Sequence, residues 1–167
     1  ILEREQGPRY HVGESLLPMC RTVLDRMGAV ASIEEAGFQR KDGVRFVRGD
    51  GQPSQPFYFS SHLKGVEAAT WQVDRERFDE VLLERAQTAG VQVMRGHEAT
   101  ELIETEHEVT GLRGRTSDGV EFTVRSRWVV DASGRDGLSM RQYRWRNPDR
   151  ALDRVALWGY FEGGLRE

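Results

Sequence analysis

The sequence predicts an α/β fold, a parallel sheet served by helices with antiparallel strands added to it, and three observations predict this. Phe78, Val81, Leu82, Leu83, Ala86 and Ala89 recur at helical spacing, with short apolar runs at Ile1–Leu2 before them and at residues 91–94 after them. Such alternation of strand and helix is what a parallel sheet requires. Residues 99–103, 109–115 and 120–124 then follow one another closely, the last two separated by the turn Ser117-Asp118-Gly119, as strands of an antiparallel meander do. Residues 43–71 break into short β-like pieces at 44–47, 57–59 and 66–71, separated by Gly, Pro and Ser, and add a further β-rich layer.

Taken in order, Ile1 and Leu2 are the end of a buried strand, and a polar loop runs through Gly7 and Pro8. Pro18 suits the first turn of a helix whose stripe is Val23, Leu24 and Met27 and whose stop is Gly28. Between loop and helix lies "YHVGESLLP", a glycine beside a carboxylate and a hydroxyl. Asp74 is placed to cap the clearest helix, Glu76 lies in its first turn, and Gly90 ends it. The apolar run at residues 128–130 is expected to be a strand leading into the polar turn Asp131-Ala132-Ser133-Gly134.

Bulk properties narrow the function. With 24 Lys and Arg scattered among 27 Asp and Glu, the chain has a formal net charge of -3 and lacks the basic patch that nucleic-acid binding needs. Cys20 is the single cysteine, so no internal disulfide forms and a reducing, cytoplasmic setting fits. No apolar run is long enough to span a membrane. His11, His62, His97 and His107 are dispersed without metal-ligand spacing, so no metal site is expected. The start at Ile1, in what reads as a strand already under way, suggests an interior stretch of a longer protein.

In open α/β sheets ligands gather beyond the carboxyl ends of strands, where loops diverge and main-chain N–H groups are exposed. Glu3 ends the first strand, where an acid accepts hydrogen bonds from a ribose or is simply solvated. Asp131 and Gly134 end the last strand, as a ligand wall or as a turn capped by Asp and Ser. The Gly13-Glu14-Ser15 run can bring main chain and a hydroxyl to a phosphate, although Glu14 argues against plain anion binding.

Read together, "ILERE", "HVGESLLP", "TWQVDRERFDEVLLERAQTAGVQV" and "WVVDASGRDG" resemble the FAD-dependent monooxygenase and geranylgeranyl reductase superfamily, and within it the flavin-dependent, tryptophan halogenase-like branch. The resemblance implies a partial Rossmann-like FAD-binding domain over residues 1–36 and 72–142. Residues 37–71 and 143–167 would be part of a substrate-binding β-sheet region. It implies that Glu3 holds the adenosine ribose and that Gly13 and Ser15 lie near the cofactor. Arg21 would face the pyrophosphate or flavin, the backbone near Glu98 and Ala99 would touch adenine, and Asp131 and Gly134 would complete the wall.

The branch also has a central lysine, and "GFQRKDGVRF" places Lys41 in that context; on the residues alone it is equally a surface lysine in a charged turn. The implied chemistry converts reduced FAD, dioxygen and chloride or bromide into hypohalous acid, which the lysine holds by hydrogen bonding or as a haloamine. The substrate would be an electron-rich aromatic, a pyrrole, phenol or indole, free or tethered to a carrier protein. A separate flavin reductase would supply reduced FAD. A hydroxylase or prenyl-chain reductase of the same fold is the nearest alternative, and a noncatalytic module that keeps the fold is the third. The Gly-x-Gly-x-x-Gly loop is not in the chain, and the family's Trp-x-Trp-x-Ile-Pro signature would fall just beyond Gly164, so the chain alone is expected neither to hold FAD tightly nor to turn over.

Overall fold

The computed structural model describes residues 1–155, 157–160, 162 and 163. Residues 156, 161 and 164–167 of the second expected substrate segment lie outside the described residues. The elements relevant to the site are β1 (Leu2–Glu3), α1 (Met19–Arg26), α2 (Val30–Glu35), β2 (Gln39–Lys41), β3 (Gly43–Val44), β4 (Phe57–Tyr58), β5 (Thr70–Gln72), α3 (Arg75–Thr88), β6 (Met94–Arg95), β7 (His97–Glu104), β8 (Val109–Thr116), β9 (Glu121–Arg125) and α4 (Leu138–Gln142).

The mixed α/β class is borne out. β1 and β6 pair in parallel, Leu2 opposite Met94 and Glu3 opposite Arg95, and β7, β8 and β9 form the expected meander. The helix over α3 begins where its cap predicts, with the Asp74 carboxylate accepting the Glu76 N–H at 2.9 Å. Arg85, in its last turn, donates to the Gly28 carbonyl at 3.0 Å and so satisfies an orphan acceptor at the end of α1. Gly28 can end α1 because its φ of +64° is left-handed, where a side chain is strained.

Among the described residues an apolar core lies between α1, α2, α3 and β5. Leu24 of α1, Ile33 of α2, Trp71 and Val73 around β5, and Phe78 and Val81 of α3 are buried together, with Leu16, Phe38 and Leu82 packed against them. Removing this much apolar surface from water is the main force holding the helices to the strand.

Three local expectations differ. Residues 43–71 do not form one β layer: β3 pairs with β4, while β5, reached through 3₁₀ turns, pairs with β2 from just before the segment. The short helix α2 is not legible in advance, because Val30 and Ile33 alone carry its buried stripe. No strand forms over residues 128–131; Trp128 and Val130 are 80% and 88% exposed. A strand needs a ladder partner, and none among the described residues pairs with this segment. Among the described residues no helix is long and apolar enough to cross a membrane.

Two substitutions test the packing. Ile33→Ala, at a site with no exposed surface, is expected to cost about 2–5 kcal/mol in chemical denaturation, because it leaves a cavity between α2 and α3. Gly111→Ala in β8 would place a Cβ 2.1 Å from the Val124 carbonyl at a φ of +153°, so it should destabilise the meander by about 2 kcal/mol or more. Gly49→Ala, which meets nothing, should stay within about 0.5 kcal/mol of the parent.

Candidate functional site

The Gly13-Glu14-Ser15 run does not open a helix directly; its residues lie along β5 as a further extended segment. The Val73 N–H donates to the Glu14 carbonyl at 2.8 Å, the Leu16 N–H to the Trp71 carbonyl at 3.1 Å, and Ser15 forms an antiparallel bridge with Gln72. On the other edge β2 pairs with β5, Lys41 opposite Thr70. β5 therefore stands between the serine and the lysine. Its Thr70 is almost fully buried and donates its hydroxyl to the Leu17 carbonyl at 3.3 Å, which ties the run to β5 once more.

This arrangement brings two sequence-predicted residues together. Lys41 Nζ donates to Ser15 Oγ at 2.6 Å and to the Leu16 carbonyl at 3.2 Å. It also lies 5.5 Å from the centre of the buried Phe59 ring, which the Asp42 carbonyl holds through the Phe59 N–H at 2.9 Å. Lys41 is half-buried, and desolvation lowers its pKa from the ordinary lysine value.

Gly13 has φ +110°, a conformation that favours glycine. Beside it Arg75 donates to the Val12 carbonyl at 3.1 Å while its fork grips Asp79 at 3.1 and 3.0 Å, so α3 fixes the entry to the run. Glu14, whose charge argues against plain anion binding, accepts the Tyr160 hydroxyl. Tyr10, Trp158 and Tyr160 pack together there with ring centres 5.1–6.2 Å apart, and the bond to Glu14 raises the Tyr160 pKa. A sequence signal for this contact existed only in the alternation of Trp158 and Tyr160; nothing in it pointed 146 residues back to Glu14.

Arg21 is occupied by the protein itself. It pairs with Glu34 at 3.1 Å and stacks on Trp71 at 5.0 Å, and with Arg40 and Thr70 it lines a small cleft of about 180 Å³. Glu3, at the end of β1, accepts the Glu5 N–H at 2.9 Å, which leaves acceptor capacity on its carboxylate. Its neighbour Arg4 shares a cavity of about 330 Å³ with Gly96, Glu98 and Arg115. Ala99 lies in the ladder opposite Gly114, and Glu98 is held by Arg115 at 2.8 Å.

Asp131 organises the final loop. Its carboxylate accepts the N–H and hydroxyl of Ser133 at 3.0 and 2.5 Å and those of Ser139 at 2.7 and 2.5 Å. These bonds, the Ser133 hydroxyl first, hold its pKa well below the usual carboxylate range. Asp131 thus caps the turn through Ser133 and Ser139. Gly134, at φ +65°, has open space where a Cβ would stand. The loop is anchored at its far end, since Gln142 of α4 both accepts the Leu102 N–H at 2.7 Å and donates to the Leu102 carbonyl at 3.0 Å. The structure thus joins Ser15 to Lys41, sets Glu98 beside the residue following Glu3, and gives the Asp131–Gly134 turn its own anchor.

These residues suit an FAD. Glu3, an acid with spare acceptor sites, ends a parallel strand one residue before the cavity-lining Arg4, and Gly13 and Gly134 take positive φ at the two loops. A tryptophan 2-halogenase of Chondromyces crocatus is 38% identical over 165 residues, a match covering 98% of this chain and 31% of that protein. The chain therefore spans about a third of that relative's length. Among solved structures, the myxobacterial chondrochloren halogenase CndH superposes with a TM-score of 0.71 at 34% identity, covering 78% of this chain and 30% of that one. A flavoprotein/dehydrogenase from Cytophaga hutchinsonii gives 0.81 at 31% identity, covering 89% and 36%. The FAD binding domain model matches residues 3–149, and the chain belongs to that FAD-binding family, with flavin-dependent halogenases among its relatives.

Proposed function

We propose that the full-length protein is an FAD-dependent oxidoreductase that halogenates an electron-rich aromatic substrate. The observation that carries this reading is Lys41: a half-buried amine, desolvated, fixed by two oxygens, on the strand pair next to the Gly13–Ser15 run. Reduced FAD would supply the electrons that turn dioxygen and chloride or bromide into hypohalous acid. Lys41 would hold that oxidant beside the aromatic ring, and burial favours this because it raises the fraction of neutral amine able to take up halogen.

The remaining assignments follow the same reading. Glu3 would accept the ribose hydroxyls, and the main chain at Gly13 and Gly134 would lie along the cofactor. Ala99 would lie near adenine, with Asp131 holding the Gly134 turn in place. For Arg21, a role toward the pyrophosphate or flavin would require release from Glu34. Residues 1–36 and 72–142 would form the FAD-binding part, and 37–71 with 143–167 would contribute to the substrate sheet, where Phe57 and His62 already stack at 4.5 Å. The substrate would be a pyrrole, phenol or indole, free or on a carrier protein. A separate flavin reductase and a cytoplasmic setting complete the proposal, the latter supported by the lone Cys20. The dehydrogenase-type neighbour favours a second reading, a non-halogenating flavoenzyme on the same fold.

Lys41→Ala in the full-length protein separates the two. Halogenated product measured by mass spectrometry should fall by roughly a hundredfold or more, while FAD binding and peroxide release persist. Unchanged halogenation would remove Lys41 from the chemistry.

Asp131 gives a pH-dependent test. Because its folded-state pKa is depressed, the order it confers is complete above the unfolded carboxylate value, about pH 4, and fades as pH falls from there toward the folded value. Protection of the Ser133 and Ser139 amides, measured against their intrinsic exchange rates, should fall in that acid window. In Asp131→Asn protection should be low throughout, with FAD affinity weakened by roughly tenfold.

A further inference from the structure

Ser15 has been placed near the cofactor by resemblance, yet its hydroxyl oxygen lies 2.6 Å from Lys41 Nζ. From this geometry, and resting on the halogenase reading above, we infer that Ser15 is a positioning residue for the Lys41 amine.

Three features carry the inference. Both residues are registered against one strand, Ser15 bridging Gln72 and Lys41 pairing with Thr70, so their approach is set by backbone hydrogen bonds rather than by chance between two mobile chains. An ammonium has three N–H groups, and here the Ser15 hydroxyl, the Leu16 carbonyl and the Phe59 ring face stand around it. The Leu16 carbonyl can only accept, whereas a hydroxyl accepts from the ammonium and donates to the neutral amine, so Ser15 can hold Nζ in both protonation states. That is the requirement for a group that must take up halogen as an amine without swinging away.

The charged side chains on the neighbouring segments have other partners. Arg40 pairs with Asp42 at 2.9 Å, Glu14 takes the Tyr160 hydroxyl, and Arg21 pairs with Glu34. Burial, not a neighbouring charge, lowers the Lys41 pKa, and the oxygen of Ser15 offsets part of that cost by bonding the charged form.

The test uses the full-length protein and acetic anhydride as an amine probe, with labelling of the Lys41 peptide followed by mass spectrometry across pH. Ser15→Ala should lower the labelling midpoint by roughly half a pH unit or more, and Ser15→Thr, which keeps the hydroxyl, should restore it. Halogenated product per reduced FAD consumed should fall roughly threefold or more in the Ala variant and recover in the Thr variant. FAD affinity, measured in both variants, tells a displaced amine from a lost cofactor. A midpoint that does not move in Ser15→Ala, a shift equally large in Ser15→Thr, or an unchanged product ratio overturns the inference, as does a loss of FAD affinity with an unmoved midpoint. The labelling arm needs no turnover, so it stays readable even if the full-length parent protein gives no halogenated product.

Discussion

The site depends on the two-sided hydrogen bonding of β5. On one edge it takes up the Glu14–Leu16 segment, and on the other it pairs with β2. Three residues thereby fix the separation of a hydroxyl and an amine that are 26 positions apart in sequence. The constraint is strong because its side chains are buried: Trp71 and Val73 enter the core between the helices, so β5 cannot shift without opening the apolar cluster around Ile33 and Phe78. Packing energy in the helices is thus converted into positional accuracy at Lys41.

Much of the rest serves to hold loops against this frame. Arg75 binds both Asp79 and the carbonyl before Gly13, so α3 steadies the entry of the Glu14 run. Asp131 does the same for the loop after β9 by gathering Ser133 and Ser139, and the Gln142–Leu102 pair links that loop to the meander. Charge-assisted bonds of this kind to main-chain N–H groups are directional and short, which suits them to fix a glycine-bearing turn. Such loops, on rigid elements, are where a flavoprotein of this family needs precision.

The legible parts of the fold were those governed by local chemistry. Asp74 as cap, Gly28 and Gly90 as stops, and the spacing of Phe78, Val81 and Leu82 describe α3 and α1 before any tertiary contact is known, and the turn at Ser117-Asp118-Gly119 sets β8 against β9. The parallel class followed from alternation alone. What escaped was determined by distant partners. Pro18 does open α1, but the extended course of Glu14–Leu16 ahead of it is decided only by the pairing with β5. The apolar run at Trp128 has strand composition but no ladder partner among the described residues. At the site, motif resemblance nominated Lys41 and Ser15 separately, and their contact required the register of two strand pairs. Glu14 gained its partner, Tyr160, from across almost the whole chain.

The proposed placement of halogen on an aromatic ring by the full-length protein can be tested outright. The most direct measurement is product mass spectrometry after supplying the full-length protein with chemically reduced FAD, dioxygen, bromide and a panel of indoles, phenols and pyrroles. A ring-brominated product whose isotope pattern shows one bromine is expected. Formation of only hydroxylated or reduced products, with bromide present and flavin turning over, would contradict it.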